Sequence, residues 1–172
     1  SGAVAHISMA QPFCPCLSSL ILDCAASLIP KDRTLHSGGT YLCMEGPAFS
    51  TQAESNLYQK MGCSVIGMTN HTEARLSKEA EIAYATLAMS TDYDCWHEDH
   101  DNVTVEMIVS NLHSNADLAS KIICKAIKKI GVSKPNSAWH NALKDALVSR
   151  EEHVPAKTKK KLHLITQRYW KG

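Results

Sequence analysis

The chain has 172 residues, of which 44% are hydrophobic and 20% charged, with a formal net charge of +1. That is one domain's worth of chain and enough to bury a core. The balanced charge argues against a nucleic-acid-binding protein, which usually carries a strong basic excess. No apolar run approaches the roughly 20 residues of a membrane span, and residues 1–10 lack the basic start and long apolar block of a secretory signal.

Seven cysteines stand at positions 14, 16, 24, 43, 63, 95 and 124. Their odd number, irregular spacing and apolar neighbours fit free thiols in a reducing, cytoplasmic setting. Cys14-Pro15-Cys16 has the form of a metal or redox pair, but no second pair lies at ligand spacing, so no metal is expected.

In chain order, residues 3–9 read as a short strand and residues 17–29 as a helix. Residues 39–45 (GTYLCME) read as a strand ending in the turn signal Gly46-Pro47. A helix over 51–61 is closed by Gly62, and residues 63–68 (CSVIGM) form a buried strand. Thr72 is placed to cap a helix reaching about Tyr84, with Glu73 in its first turn. Residues 86–91 (TLAMST) read as a third buried strand. Val105, Ile108, Leu112, Ala116, Ala119, Ile123, Ala126 and Ile130 then repeat at three and four, marking a long helix ended by Gly131. Two more helices are expected, over 137–148 and 156–170, the last with Leu162, Ile165 and Tyr169 as its apolar stripe.

Buried strands alternating with amphipathic helices predict an α/β layered domain. In such folds ligands gather beyond the carboxyl ends of the strands. Glu45-Gly46-Pro47, Met68-Thr69 and Asp92-Tyr93-Asp94 each follow a predicted strand, so three polar clusters are candidates for one site. Two acids after a strand are by themselves more often a helix cap or a solvated loop.

The surrounding words are more specific. AHISMAQPFCP (5–15), EGPAFSTQAES (45–55), GCSVIGMT (62–69), STDYDCW (90–96) and PAKTKKKLHLI (155–165) resemble, in order and over nearly the whole chain, the methylthioadenosine phosphorylase branch of the purine nucleoside phosphorylases. The resemblance implies a three-layer nucleoside phosphorylase-like fold with a central mixed sheet flanked by helices. Residues 1–172 would be the C-terminal part of a single phosphorylase domain. The implied reaction is a pentosyl transfer, in which methylthioadenosine and phosphate give adenine and 5-methylthioribose 1-phosphate. Phosphate is a co-substrate there, and no cofactor is expected.

The resemblance also implies roles for single residues. Phe49 and Met68 would pack on ribose and purine, with Tyr93 among the substrate contacts, and Thr69 would help hold phosphate. Asp92 and Asp94 would read the 6-amino edge of adenine, with Asp92 also facing the imidazole-side ring nitrogen. Ser50 and Val105 correspond to positions tied to substrate choice. His6 would reach the 5′ end of a substrate held by a neighbouring subunit of a homotrimer, or of a hexamer of such units. The C-terminal helix is expected to close over the methylthio group.

The chemistry suits those residues. Nucleoside phosphorolysis passes through a sugar of oxocarbenium character, as glycoside cleavage does, while the departing adenine gains negative charge. A buried carboxylic acid beside its ring nitrogen can donate a proton. A carboxylate accepts hydrogen bonds from an exocyclic amine, whereas a 6-oxo purine would want a donor such as asparagine. The apolar methylthio group needs an apolar slot, which Val105 could line.

Ala48 and Gln52 depart from the family pattern, which usually has a longer polar residue and an arginine there; the residues expected to touch substrate are intact. The family's phosphate loop precedes AHISMAQPF, and Thr69 alone cannot hold a phosphate dianion. The expectation is therefore a two-chain enzyme with the N-terminal half as a separate chain. The rival readings are a purine nucleoside or methylthioinosine phosphorylase and a non-catalytic pseudo-enzyme subunit. Trp96-His97-Glu98-Asp99-His100-Asp101 reads as a solvated acidic loop rather than a metal cluster. Lys157, Lys159, Lys160, Lys161, Arg168 and Lys171 read as a solvated helix face. Ser50 and Ser90 have no sequence partners for a nucleophilic triad.

Overall fold

A computed structural model describes residues 2–97 and 104–170. Its helices are α1 (Pro15–Ala26), α2 (Gln52–Lys60), α3 (Asn70–Glu79), α4 (Val105–Ser133) and α5 (Ala156–Thr166), and its strands are β1 (Tyr41–Cys43) and β2 (Val65–Gly67). The chain divides into two compact units. One comprises Ser1–Leu17, Thr72–Ala85 and Pro135–Gly172; the other comprises Ser18–His71 and Thr86–Lys134.

The second unit is organised by α4. Asn115, Leu118, Ile122 and Ala126 recur at three and four along one face and are buried. Leu118, Ile122 and Ala126 pack on Leu20, Cys24 and Ala25 of α1, with Leu28, Ile29, Leu35, Leu87, Met89 and Ile130 closing the cluster. This face differs from the expected stripe. Ala126 is buried, but Leu112 and Ile123 are more than half exposed. A 29-residue helix with apolar residues on two adjacent faces presents two stripes of the same period, and periodicity alone does not choose between them. The helix also runs through Gly131 to Ser133, with Lys134 as its left-handed cap (φ 42°).

β1 and β2 pair in parallel, Tyr41 with Val65, Leu42 with Ile66 and Cys43 with Gly67. The expected third strand over 86–91 has no ladder. Its last two carbonyls are taken by side chains: Asn115 Nδ2 donates to Ser90 O at 2.8 Å and Asn111 Nδ2 to Thr91 O at 2.9 Å. Asn115 is held in turn by Arg33, which donates to its Oδ1 at 2.7 Å.

In the first unit the expected strand over 3–9 makes a single antiparallel bridge, Ala5 with Leu147. The expected helix over 137–148 shrinks to a 3-10 turn, Ala138–Asn141, capped by Ser137. Helix α5 ends at Thr166 rather than at Trp170, so the expected stripe is present only in part: Leu162 and Ile165 are half-buried beside buried Thr166, while half-buried Tyr169 and buried Trp170 follow the helix. Helix α3 begins at Asn70 rather than at a Thr72 cap.

Two helix ends show one motif built from different residues. After α2, Gly62 (φ 80°) donates to Gln59 O and Cys63 N–H to Tyr58 O. After α3, Glu81 (φ 58°) donates to Lys78 O and Ile82 N–H to Ser77 O. Both are Schellman ends, which want glycine at the left-handed position. A side chain there costs about 1–2 kcal/mol. Glu81 offsets it with its carboxylate, which accepts from Leu143 N–H at 3.0 Å, from the Tyr169 hydroxyl and from Arg168. The Glu81 side chain is 8% exposed. Burial pushes its acidity down, but the hydrogen bonds from Tyr169, Leu143 and Arg168 outweigh burial and leave its pKa below the ordinary glutamate value.

A carboxyl whose folded pKa is depressed stabilises the fold above its unfolded pKa, and that stability is lost as pH falls through the folded value. Glu81→Gln should cost about 1–3 kcal/mol at neutral pH by breaking a charge-assisted network. Denaturant unfolding from pH 7 to pH 3 should show the gap from wild type narrowing in acid. Glu81→Gly, which relieves the backbone but removes the carboxylate, should not recover wild-type stability. A pH-independent gap would refute this role for the charge.

Candidate active site

The parallel pairing sets two loops side by side. β1 and β2 end in register, so Met44–Glu45 and Met68–Thr69 leave the same edge of the sheet. Met44 N–H donates to Gly67 O at 2.8 Å, and the Cys43 thiol donates to Met68 O at 2.9 Å. At Gly46 (φ 65°) the backbone is left-handed, and a Cβ there would meet Met68 Sδ at 2.7 Å. Glycine is what allows the 46–50 loop to lie on Met68.

Beyond that loop, Thr51 caps α2 with a capping box. Its hydroxyl accepts from Glu54 N–H while the Glu54 carboxylate accepts from Thr51 N–H. The hydrogen bonds that carboxylate accepts from the Thr51 N–H and hydroxyl hold it below its usual pKa range. The cap fixes where Phe49 and Ser50 stand. Phe49 is 87% exposed, and the Ser50 hydroxyl lies 2.8 Å from the hydroxyl of Ser55.

Ser55, 1% exposed, joins this loop to the acidic segment. The Cys95 thiol donates to Ser55 Oγ at 3.3 Å and approaches Ser50 O at 3.8 Å. Residues 49–50, 68–69 and 92–94 thus belong to one connected part of the second unit. The linking residues, Ser55 and Cys95, and the anchoring amides, Asn111 and Asn115, do not stand out in the sequence. A small polar residue inside a helix and a cysteine after two acids carry no periodic signal, and only their burial and partners reveal them.

The acids differ in setting. Asp92 is exposed and accepts from the Thr91 hydroxyl. Asp94 is half-buried, and its Oδ1 accepts from Cys95 N–H at 2.8 Å. Between them Tyr93 stacks on His97, with ring centroids 4.3 Å apart and planes 14° apart, and meets Trp96 edge-on. The expected acidic loop thus begins in an aromatic cluster, and Glu98 to Asp101 lie outside the described residues. Thr69 is exposed. Val105 opens α4, with Thr104 as the N-cap accepting from Met107 N–H at 3.3 Å. His6 belongs to the first unit, where it is exposed and its N–H donates to Ala146 O at 2.8 Å. No helix of the described residues is long and apolar enough to cross a membrane.

The pattern of the family described as the phosphorylase superfamily matches residues 1–128. A relative from Prochlorococcus marinus, an S-methyl-5′-thioadenosine phosphorylase, is 56% identical over 169 residues, covering 98% of this chain and 54% of its own length. This chain therefore spans about half the length of that relative. A crystal structure of a methylthioadenosine phosphorylase from an antarctic soil metagenomic library superposes with TM-score 0.90 at 44% identity, over 96% of this chain and 57% of that one. A methylthioadenosine phosphorylase from Schistosoma mansoni, solved with adenine, superposes with TM-score 0.71 at 26% identity, over 85% of this chain and 57% of that one. The fold is the α/β fold of these phosphorylases.

Asn115 is the amide on which the 90–91 segment depends. Asn115→Ala should cost about 1–3 kcal/mol by orphaning Ser90 O and Arg33. Amide hydrogen exchange at residues 91–95 should rise more than the global loss of stability accounts for. Exchange that follows global unfolding alone would show that α4 does not position the acids.

Proposed function

The chain belongs to the phosphorylase superfamily, and from that membership we propose that it carries the purine side of a methylthioadenosine phosphorylase active site. The observation that supports this most is the linkage of Ser50, Ser55 and Cys95, which ties the acidic segment to the loop beyond β1. In this reading the reaction is a pentosyl transfer from adenine to phosphate.

Asp94, fixed by Cys95 N–H, and Asp92 accept from the 6-amino group of adenine. A carboxylate is the right partner for an amine with two N–H donors. Asp92 also delivers a proton to the ring nitrogen as the glycosidic bond breaks and charge collects on the base. Phe49 and Met68 supply apolar surface for ribose and purine, and the Tyr93 ring lies among the substrate contacts. Phe49 is exposed in this chain and is ready to be covered by substrate. Ser50 and Val105 tune the choice between substrates, and an apolar Val105 favours a methylthio group over a hydroxyl. The Thr69 hydroxyl supplies one phosphate contact.

A phosphate dianion needs several charged or N–H donors, and Thr69 is the one phosphate ligand assigned here. We therefore place the remaining ligands on an N-terminal half that acts as a separate partner chain, with phosphate as co-substrate and no cofactor. His6 would reach the 5′ end of the substrate of a neighbouring copy in a homotrimer or hexamer of such units. The seven free cysteines fit a reducing cytoplasm.

The test is phosphate-dependent release of adenine from methylthioadenosine by the chain mixed with the N-terminal half of a relative. Turnover is expected only with both chains. Asp92→Asn should lower kcat/KM for methylthioadenosine about a hundredfold, the scale of one acid–base group, and shift preference towards methylthioinosine. A wild-type preference for methylthioinosine would refute the role of the acid pair. Absence of turnover in a complex that forms would support a non-catalytic subunit.

A further inference from the structure

The two cysteines at the start of α1 have no role in the proposed phosphorolysis. Cys14 is 0% exposed, Cys16 is exposed, and their sulfurs lie 3.2 Å apart. Pro15, at the first position of the helix, has its φ fixed by its ring. Cys14 Sγ also lies 3.1 Å from the Ser137 hydroxyl, which is buried. Cys16 Sγ reaches Asn136 O at 3.8 Å. A disulfide has sulfurs about 2.05 Å apart, so a further approach of about 1 Å closes the bond.

We propose that Cys14 and Cys16 form a redox-active dithiol, which a low-molecular-weight disulfide of the glutathione type oxidises to an intramolecular disulfide. The positions divide the chemistry. Cys16 is open to a bulky reagent, and Cys14 is shielded from it yet touches Cys16. The Cys16 thiolate attacks one sulfur of glutathione disulfide. That S–S bond breaks, one glutathione thiolate leaves, and Cys16 carries a mixed disulfide. The Cys14 thiolate then attacks Cys16 Sγ, the mixed disulfide breaks, and the second glutathione leaves. The cysteines lose two hydrogens and two electrons. Glutathione disulfide gains both and becomes two thiols, each taking the proton that one cysteine gives up.

The surroundings favour Cys14 as the resolving thiolate. Burial pushes its pKa up, but the Ser137 hydroxyl, the Leu17 N–H, the Cys16 thiol and the Cys16 N–H outweigh burial and bring it below its ordinary value. The N–H groups are those of the first turn of α1, where a thiolate is stabilised. Cys16 is pushed up, first by its hydrogen bond with Cys14, and a more basic thiol is intrinsically the stronger nucleophile once deprotonated. No third histidine, cysteine or carboxylate joins the pair among the described residues, so thiol–disulfide exchange fits the donor set better than metal ligation. The proposal is independent of the phosphorylase reading.

The full chain is equilibrated with glutathione disulfide, quenched with acid and read by intact mass. Proteolysis that separates residues 14–16 from Cys24 then locates any link. Wild type should lose two hydrogens in the 14–16 fragment, and reducing agent should restore them. Cys14→Ser should trap glutathione on Cys16. Cys16→Ser should show neither adduct nor link at Cys14, so the pair is tested even where Cys14→Ser fails to fold. Cys124, which is exposed, is the internal reference. Glutathione should remain on Cys124 as a mixed disulfide under conditions where the 14–16 fragment has already released it, because resolution needs the second thiol beside the first. A stable glutathione adduct on wild-type Cys16, no modification of the pair, or a link involving Cys24 would overturn the proposal.

Discussion

One face of α4 does two jobs, and the second unit depends on both. Leu118, Ile122 and Ala126 bury against α1, while Asn111 and Asn115, about two turns and one turn nearer the helix start than Leu118, take the carbonyls of Thr91 and Ser90. The hydrophobic contact sets how close α4 lies, and the amides convert that position into a position for the acidic segment. Burial of a large aliphatic side chain such as Ile122 is worth about 1.5–3 kcal/mol. A single neutral hydrogen bond contributes about 1 kcal/mol. The packing therefore holds the helix, and the amides hold the loop to the helix.

The candidate site inherits this division. Its first part comes from the parallel register of β1 and β2, which brings Glu45-Gly46 and Met68-Thr69 to one sheet edge. Its second part, residues 92–94, comes from α4. What joins them is small and polar: two serine hydroxyls and a thiol. Such links cost little side-chain entropy because each side chain has few torsions to fix. They can therefore order a loop without a large apolar anchor, which leaves Phe49 and Tyr93 exposed and available to a ligand.

Much of this is legible in the sequence, for identifiable reasons. The helix expected over 51–61 with its glycine end at Gly62 stands where the sequence places it, because both ends rest on local chemistry, which survives folding; the structure adds the capping box at Thr51 that starts it. The five words of the family resemblance lead to the family that residues 1–128 match. Residues 86–91 do not form the expected strand because a run of apolar residues announces burial, not pairing, and the partner of this run is an amide-bearing helix. Glu81 escapes a sequence reading for the converse reason. Only glycine advertises a left-handed helix end, and the compensation at Glu81 comes from Arg168 and Tyr169, far along the chain. The stripe of α4 differs from expectation because two faces share one period.

The exposure of Asp92 bears on how the proposed chemistry could operate. A carboxylic acid donates well to a leaving base only where water has been excluded, since in water its proton is lost before the transition state needs it. This chain leaves Asp92 in solvent, while Asp94 is half-buried and hydrogen-bonded. On the proposed reading the two acids are therefore not equivalent before substrate arrives. Asp94 is preorganised to accept from the adenine amine, and Asp92 acquires its role as purine, ribose and partner chain cover it. Coupling desolvation to binding in this way makes proton transfer conditional on a filled site. That in turn restricts cleavage to substrates whose base the fixed acid has already accepted.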